Sequence, residues 1–89
     1  MRTIWIDISL LDDKRSMSGY MKQIFDLPEY FGGNLDALND CMSEISEDTQ
    51  IRLKREDLIK AAENAYAWKT IRVIINAASE NPRLDFTIE

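Results

Sequence analysis

Histidine is absent from the 89 residues of the chain, and cysteine occurs once, at Cys41. The lack of histidine excludes histidine-dependent catalytic triads and histidine metal ligands. A single cysteine allows neither an intramolecular disulfide nor a thiolate-rich zinc site. No apolar run approaches the roughly 18–20 residues that span a bilayer, and the acid-containing N-terminus does not resemble a signal peptide. These features predict a cytoplasmic protein with no membrane segment, no cofactor and no metal bound by histidine or thiolate ligands, whereas carboxylate chemistry remains possible.

Basic residues are missing from the middle of the chain, although the composition is that of an ordinary folded protein, 45% hydrophobic and 30% charged. Between Asp26 and Asp48 there are seven acids and no Lys or Arg, whereas the remainder holds nine acids and eleven bases, so the net charge of −5 is local. A local acidic field repels nucleic acid and attracts basic surfaces. The length predicts one domain, residues 1–89.

The spacing of apolar residues predicts an α/β fold, with a three-stranded parallel sheet packed against about four helices. The predicted strands are 3–8, 50–54 and 84–88, and the predicted helices are 14–25, 35–45, 56–65 and 66–79. Because helices separate the strands, right-handed crossovers and parallel pairing are expected. The first strand is expected to be central and buried. Trp5, on the other face of its strand from the three isoleucines, and Trp68 are expected to be packing residues. Phe31 is expected to cover the edge of the core.

The predicted helix 35–45 carries Asp36, Asp40 and Glu44 at i, i+4 and i+8. Like charges at this spacing destabilise an isolated helix by a few tenths of a kcal/mol per pair, and no basic residue in the helix neutralises them. A solvated acidic face would explain the pattern without any function. However, the acids directly follow a Gly32-Gly33 loop that carries two adjacent aromatic residues, and such an arrangement suits recognition.

The segment 27–41, LPEYFGGNLDALNDC, resembles the signature of the barstar family. Proteins of this family are intracellular inhibitors of secreted bacterial ribonucleases such as barnase. The segment covers about a sixth of the chain and its match is dense. A similar size, strand–helix order and terminal alternating strand extend the resemblance more weakly over the whole length. The resemblance implies a stoichiometric inhibitor, an immunity protein that is not an enzyme and that is a monomer when free.

The resemblance implies that the second helix and the loop before it block the ribonuclease active site. Asp40 would enter the pocket that binds the substrate phosphate, and Asp36 would pair with a basic group at the rim. Tyr30, Asn34 and Leu35 would supply packing and backbone contacts. The predicted partner-binding residues are Tyr30, Gly32, Gly33, Asn34, Leu35, Asp36, Asn39, Asp40, Ser43, Glu44, Asn76 and Glu80.

Two positions depart from the family pattern. The family motif commonly has Trp where this chain has Asn39, and a family carboxylate that aids the interface falls on Asn76. Glu80, one turn beyond Asn76, faces a similar direction and is the candidate substitute. The departures favour a ribonuclease related to barnase, or a ribonuclease toxin domain, over barnase itself.

Two alternatives to a ribonuclease inhibitor remain open from the sequence. The chain would bind another basic protein without inhibiting it, or the three acids of the second helix would gather Mg²⁺ or Mn²⁺ in an enzyme, since both ions prefer oxygen ligands. The spacing of the acids along more than two turns of one helix disfavours the metal site. Cys41 is expected to be a core residue rather than a reactive thiol.

Overall fold

The chain folds around a three-stranded parallel sheet. The computed structural model describes residues 1–29 and 31–89. Within these ranges the strands are β1 (Arg2–Trp5), β2 (Thr49–Leu53) and β3 (Leu84–Ile88). The helices are α1 (Lys14–Ile24), α2 (Leu35–Ser43), α3 (Arg55–Ala61) and α4 (Ala65–Glu80), and a short 3₁₀ helix covers Ile8–Leu10. Both strand pairs are parallel, so the predicted fold class is confirmed.

Two helices connect each pair of neighbouring strands, because parallel strands cannot be joined by a tight turn and need a crossover. α1 and α2 link β1 to β2, and α3 and α4 link β2 to β3. The predicted order of elements is confirmed, with shorter helices in two places. α2 was expected to reach Ile45 but ends at Ser43, and α3 ends at Ala61, before the Asn64 side chain accepts hydrogen bonds from the first turn of α4.

The expectation that the first strand is central is wrong. The spatial order of the strands is β1–β2–β3, so β1 is an edge and β2 is the middle strand. β2 buries Thr49, Ile51 and Leu53 on one face, whereas β1 buries only Ile4 within its four residues. The alternation of Ile4, Ile6 and Ile8 is equally compatible with an edge strand that continues into a 3₁₀ turn.

The core lies on one face of the sheet. In the strand register Ile4 stands beside Ile51, which stands beside Phe86, and all three belong to or pack against the buried cluster. Because side chains alternate along a strand, Trp5 lies on the other face, where it is 49% exposed. Trp68 is 40% exposed, so both tryptophans are less covered than the packing role expected of them. Phe31 does pack against the core, as expected.

The C-terminus of α1 directs the chain into the loop before α2. Asp26 adopts φ 52°, and the Leu27 N–H donates to the Lys22 carbonyl at 3.0 Å. This is the Schellman arrangement, in which a residue in the left-handed region reverses the chain and satisfies a free helix carbonyl. Leu27, the residue after the reversal, is buried.

Candidate functional site

The loop before α2 is short, and hydrogen bonds fix both of its ends. The Phe31 N–H donates to the Pro28 carbonyl at 2.9 Å. At the other end the Asn34 Oδ1 accepts the Ala37 N–H at 2.7 Å, which is the N-cap predicted from the sequence. The first turn of α2 therefore begins at a fixed position, with Leu35 half buried against the core and Asp36 exposed.

Gly33 is the point where this loop contacts α1. Its backbone has φ +77°, in the region that favours glycine. It is buried, and a Cβ at this position would lie 2.8 Å from the Ser18 Oγ of α1. The conformation favours glycine, and a side chain at this position would also have to displace the Ser18 hydroxyl. The loop therefore packs directly against α1. Gly32, by contrast, is exposed.

The acids of α2 lie at exposed positions. Asp36, Asp40 and Glu44 are all exposed, and Glu44 is the C-cap residue of the helix. They extend along about 12 Å of helix axis. Among the described residues, the Asp36 and Asp40 carboxylates form no side-chain hydrogen bond or ion pair. Their side chains are therefore accessible from solvent along one side of α2.

The electrostatics of α2 are unfavourable at its C-terminal end. Helix dipoles stabilise acids near the N-terminus and bases near the C-terminus, each by about 0.3–1 kcal/mol. Asp36 lies in the first turn, where an acid is favoured, but Asp40 and Glu44 lie at the opposite end, and the last turn has no base. Such a violation of a local rule on an exposed face is typical of a functional surface.

A groove of about 480 Å³ separates α2 from α4. Leu35, Asp36 and Asn39 line it from α2, and the side facing them on α4 is formed by Lys69, Arg72, Val73 and Asn76. Across it the Asn76 Nδ2 donates to the Asn39 Oδ1 at 3.5 Å, a long hydrogen bond. Asn39 and Asn76, the two positions that depart from the family pattern, are thus in contact.

The side chain of Asn81 holds the far end of the two helices together. Its Nδ2 donates to the carbonyls of Met42 and Ile45, at 2.9 Å and 3.0 Å. The Met42 carbonyl also accepts the Ile45 N–H at 3.3 Å, so the amide adds a second, shorter hydrogen bond there and ties the turn after α2 to the end of α4. α2 is thereby fixed at its C-terminus as well as at its N-cap.

Cys41 is a buried residue of α2, as expected. Burial raises the pKa of its thiol above the ordinary value of 9.0, and the negative charges of Glu44 and Asp40 raise that pKa further. All three effects disfavour the thiolate, which is the reactive form of cysteine. The position therefore supports a packing role in the helix that carries the acids.

The structure places most of the predicted binding residues on one part of the surface. Leu35, Asp36, Asn39 and Asn76 share the groove, while Asp40, Ser43 and Glu44 are exposed further along α2. The Ser43 hydroxyl donates to the Asp40 carbonyl at 2.7 Å. Glu80 is exposed at the end of α4, next to Asn81. The prediction for Tyr30 lies outside the described residues.

Three residues of this region were missed from the sequence. Lys69, Arg72 and Val73 lie on the same side of α4 as Asn76, at the helical spacing i, i+3, i+4 and i+7. That spacing was visible in the sequence, but nothing in it indicated that this side of α4 faces α2. The role of Asn81 was missed as well, because the Asn-Pro pair was interpreted only as the end of a helix.

Two further observations concern the described ranges 1–29 and 31–89. In these ranges no group of three or more Cys, Asp and Glu side chains is arranged to hold a metal ion. Among the helices of the same ranges, none combines the length and the apolar character that crossing a membrane requires.

The parallel sheet and the exposed acids of α2 define a small α/β protein with acidic side chains along one helix. The family model of Barstar (barnase inhibitor) matches residues 1–89, and the chain belongs to the barstar family. Members of this family are inhibitors of barnase-type ribonucleases and are not enzymes. The metal-enzyme alternative is therefore wrong. A search of curated proteins gave no match.

Proposed function

We propose that this chain is a stoichiometric inhibitor of a basic microbial ribonuclease or ribonuclease toxin domain, and that α2 and the loop before it block the active site. The observation that carries the proposal is the exposure of Asp36, Asp40 and Glu44 along one side of a helix that is fixed at both ends. The helix retains acids that its own dipole disfavours. A basic partner would compensate for this local cost.

The proposed mechanism is imitation of the substrate phosphate. A ribonuclease concentrates cationic groups where it binds the phosphate of RNA, and a carboxylate can form the same charge-assisted hydrogen bonds. Asp40 is proposed to enter that pocket and Asp36 to pair at its rim. A rigid mounting keeps the entropic cost of binding low, and the Asn34 and Asn81 hydrogen bonds at the two ends of α2 supply it.

The remaining predicted residues are proposed to surround this centre. Gly32, Asn34 and Leu35 lie at the start of α2, Ser43 and Glu80 near its end, and the Asn39–Asn76 pair between them. Gly33 is buried against α1 and is proposed to shape the loop rather than contact the partner through its own atoms. Tyr30 remains a proposed contact.

The location and assembly of the inhibitor are also proposals. We propose that the chain is one domain, that it is monomeric when free, and that it acts in the cytoplasm. The one cysteine, Cys41, supports a reducing compartment, since no intramolecular disulfide is possible.

Titration of ribonuclease activity tests the proposal. Barnase and a panel of basic ribonuclease toxin domains are each titrated with the purified chain at an enzyme concentration well above the expected Kd. The remaining ribonuclease activity should fall linearly to a sharp end point at one chain per enzyme. Association should slow as salt rises, because opposite charges steer the encounter. Binding to a basic protein without loss of its activity would favour the alternative, a non-inhibitory binding module.

The Asp40→Ala variant tests the site. If Asp40 is a hot spot, its loss costs at least about 2 kcal/mol, or about 30-fold in Kd. Barstar itself supplies the established example of such acidic hot spots, so this threshold comes from known interfaces and not from this chain. Asp85→Ala is the matched control, because Asp85 is also exposed but lies on the sheet face opposite the core. Equal Kd values for the two variants would contradict the assignment of Asp40.

A further inference from the structure

The α2–α4 groove contains two basic side chains beside a surface that otherwise suits a basic partner. Lys69 and Arg72 line it from α4, together with Asp36 of α2, and both are exposed. Within the part of the chain that the structure describes, neither side chain forms an ion pair or a hydrogen bond. Their positive charges are therefore available to a ligand.

Two contacts show how α2 and α4 run past each other. In the first contact, Asn39 of α2 meets Asn76 of α4. In the second, the carbonyl of Met42, later in α2, accepts a hydrogen bond from Asn81, the C-cap residue of α4. The helices thus run in the same direction along the groove. Asp36 lies one turn before Asn39, at the level of Lys69 and Arg72, whereas Asp40 and Glu44 lie beyond the asparagine pair.

The exposed surface is therefore divided into two parts. The part with Asp40 and Glu44 is predominantly negative, because Arg2, which lies near Glu44, is paired with Glu47. The part before the Asn39–Asn76 contact carries Asp36 with the two bases. A ribonuclease with a uniformly cationic face would be attracted by the first part and repelled by Lys69 and Arg72. An acid of the enzyme at the second part would remove that repulsion and gain charge-assisted hydrogen bonds.

We propose that Lys69 and Arg72 form a cationic subsite that binds a carboxylate side chain of the ribonuclease beside the cleft blocked by α2. This inference rests on the proposed function. An Arg guanidinium matches a carboxylate with two parallel hydrogen bonds, and a Lys ammonium adds a second charge. The groove provides room for the side chain, and half-buried Leu35 and Val73 provide apolar contact for its methylene groups. The subsite selects among ribonucleases by the position of an acid near the active site.

The competing explanation is that the two bases only balance Asp36 within the free protein. The two explanations predict opposite effects when the bases are neutralised. If they only balance Asp36, removing two positive charges makes the inhibitor more acidic, and a basic ribonuclease binds it faster and more tightly. If they bind a carboxylate, the same change weakens the complex.

The experiment compares two double variants against the ribonuclease that the wild-type chain inhibits in the panel of barnase and toxin domains. The test variant is Lys69→Gln with Arg72→Gln. The matched control is Arg55→Gln with Lys60→Gln, which removes two exposed positive charges from α3, outside the groove. Kd and the association rate are measured at low and moderate salt, and urea unfolding confirms that both variants are folded.

The proposal predicts that the Kd of the test variant rises at least tenfold, while the control binds as tightly as the wild-type chain or more tightly. The charge reversal Lys69→Glu with Arg72→Glu should weaken binding further. Equal or tighter binding by the test variant overturns the subsite and leaves the proposed function intact. If the wild-type chain inhibits no ribonuclease of the panel, the proposed function fails, and the subsite fails with it.

Discussion

The side-chain amide of Asn81 donates to the main-chain carbonyl of Met42 at 2.9 Å, across the boundary between α4 and α2. The same nitrogen donates to Ile45 at 3.0 Å, and the Oδ1 accepts the Arg83 N–H at 3.0 Å. One buried side chain thus joins the C-terminus of α2, the C-cap of α4 and the approach to β3. The position of the proposed binding helix depends on a residue that does not belong to it.

Replacing Asn81 with Ala should lower the free energy of unfolding by about 2–3 kcal/mol, because the three hydrogen bonds of this buried side chain are lost together. Asn76→Ala is the control, since Asn76 is exposed and, within residues 1–29 and 31–89, its side chain forms only the long hydrogen bond with Asn39. It should change stability by less than about 0.5 kcal/mol. Urea unfolding of the three proteins measures both values. A loss at Asn81 no larger than at Asn76 would show that water replaces the amide without cost.

Gly33 and Gly19 should respond in opposite directions to the same substitution. Gly33→Ala should destabilise the chain by about 1–2 kcal/mol, because alanine is disfavoured at φ +77° and its Cβ would contact Ser18. Gly19→Ala should stabilise it by up to about 1 kcal/mol, because Gly19 lies inside α1 with open space around it. The measurement is the urea midpoint of each variant.

A second variant separates the two causes at Gly33. In a Ser18→Gly background the close contact is absent but the backbone conformation is unchanged, so Gly33→Ala should still cost about 1 kcal/mol or more. If the cost disappears in that background, the contact alone explains it. If Gly33→Ala is stabilising in the wild-type background, the loop geometry described above is wrong.

The order of the elements was predictable because each strand or helix has a local signal of its own. The alternation of Leu84, Phe86 and Ile88 and the Asn34 cap are examples that the structure bears out. The position of β1 at the sheet edge was not predictable, because the strand order depends on contacts between distant segments. The same reason explains why Trp5 was misjudged: alternation assigns it to a face but does not tell whether anything covers that face.

The candidate site was predictable where one segment carries it and not where two meet. Asp36 and Asp40 belong to a single helix and to a dense family motif, so their exposure followed from helical spacing. The groove required knowledge that α4 lies against α2. Lys69 and Arg72 had no local feature that separates them from other exposed bases. Only the structure, which places them beside Asp36 in the groove, identifies them as candidate binding residues.

Tyr20 should make the stability of the chain depend on alkaline pH. Its Oη accepts the Asp7 N–H at 2.9 Å and donates to the Trp5 carbonyl at 3.3 Å. Burial raises the pKa of Tyr20 above the ordinary value of 10.0. The folded state therefore favours the neutral phenol, and the stability it contributes is present below the unfolded pKa and is lost as pH rises through the raised pKa.

The measurement is urea unfolding of the wild-type chain and of Tyr20→Phe from about pH 8 to pH 11. At the lower pH the variant should be less stable by about 0.5–1.5 kcal/mol, since it loses both hydrogen bonds. The difference in stability between the two proteins should shrink as pH rises, because the wild-type chain then loses the stability that the neutral Tyr20 phenol contributes. The Phe variant has no such group to lose. All other titratable groups are the same in the two proteins, so their contributions cancel in the difference. A difference that stays constant would show that Tyr20 does not carry the pH dependence.

Cys41 should react slowly with thiol reagents in the folded chain, even though it lies in the proposed binding helix. Burial raises the pKa of its thiol, and the charges of Glu44 and Asp40 add to that rise, so little thiolate is present at about pH 8. The rate of reaction with a disulfide reagent should be at least about tenfold lower than in denaturing urea. Asp40→Asn should raise the rate in the folded state modestly, because it removes one of the negative charges without exposing the sulfur. A folded rate equal to the unfolded rate would mean that α2 opens readily, and a helix that opens readily cannot be the rigid inhibitory element proposed above.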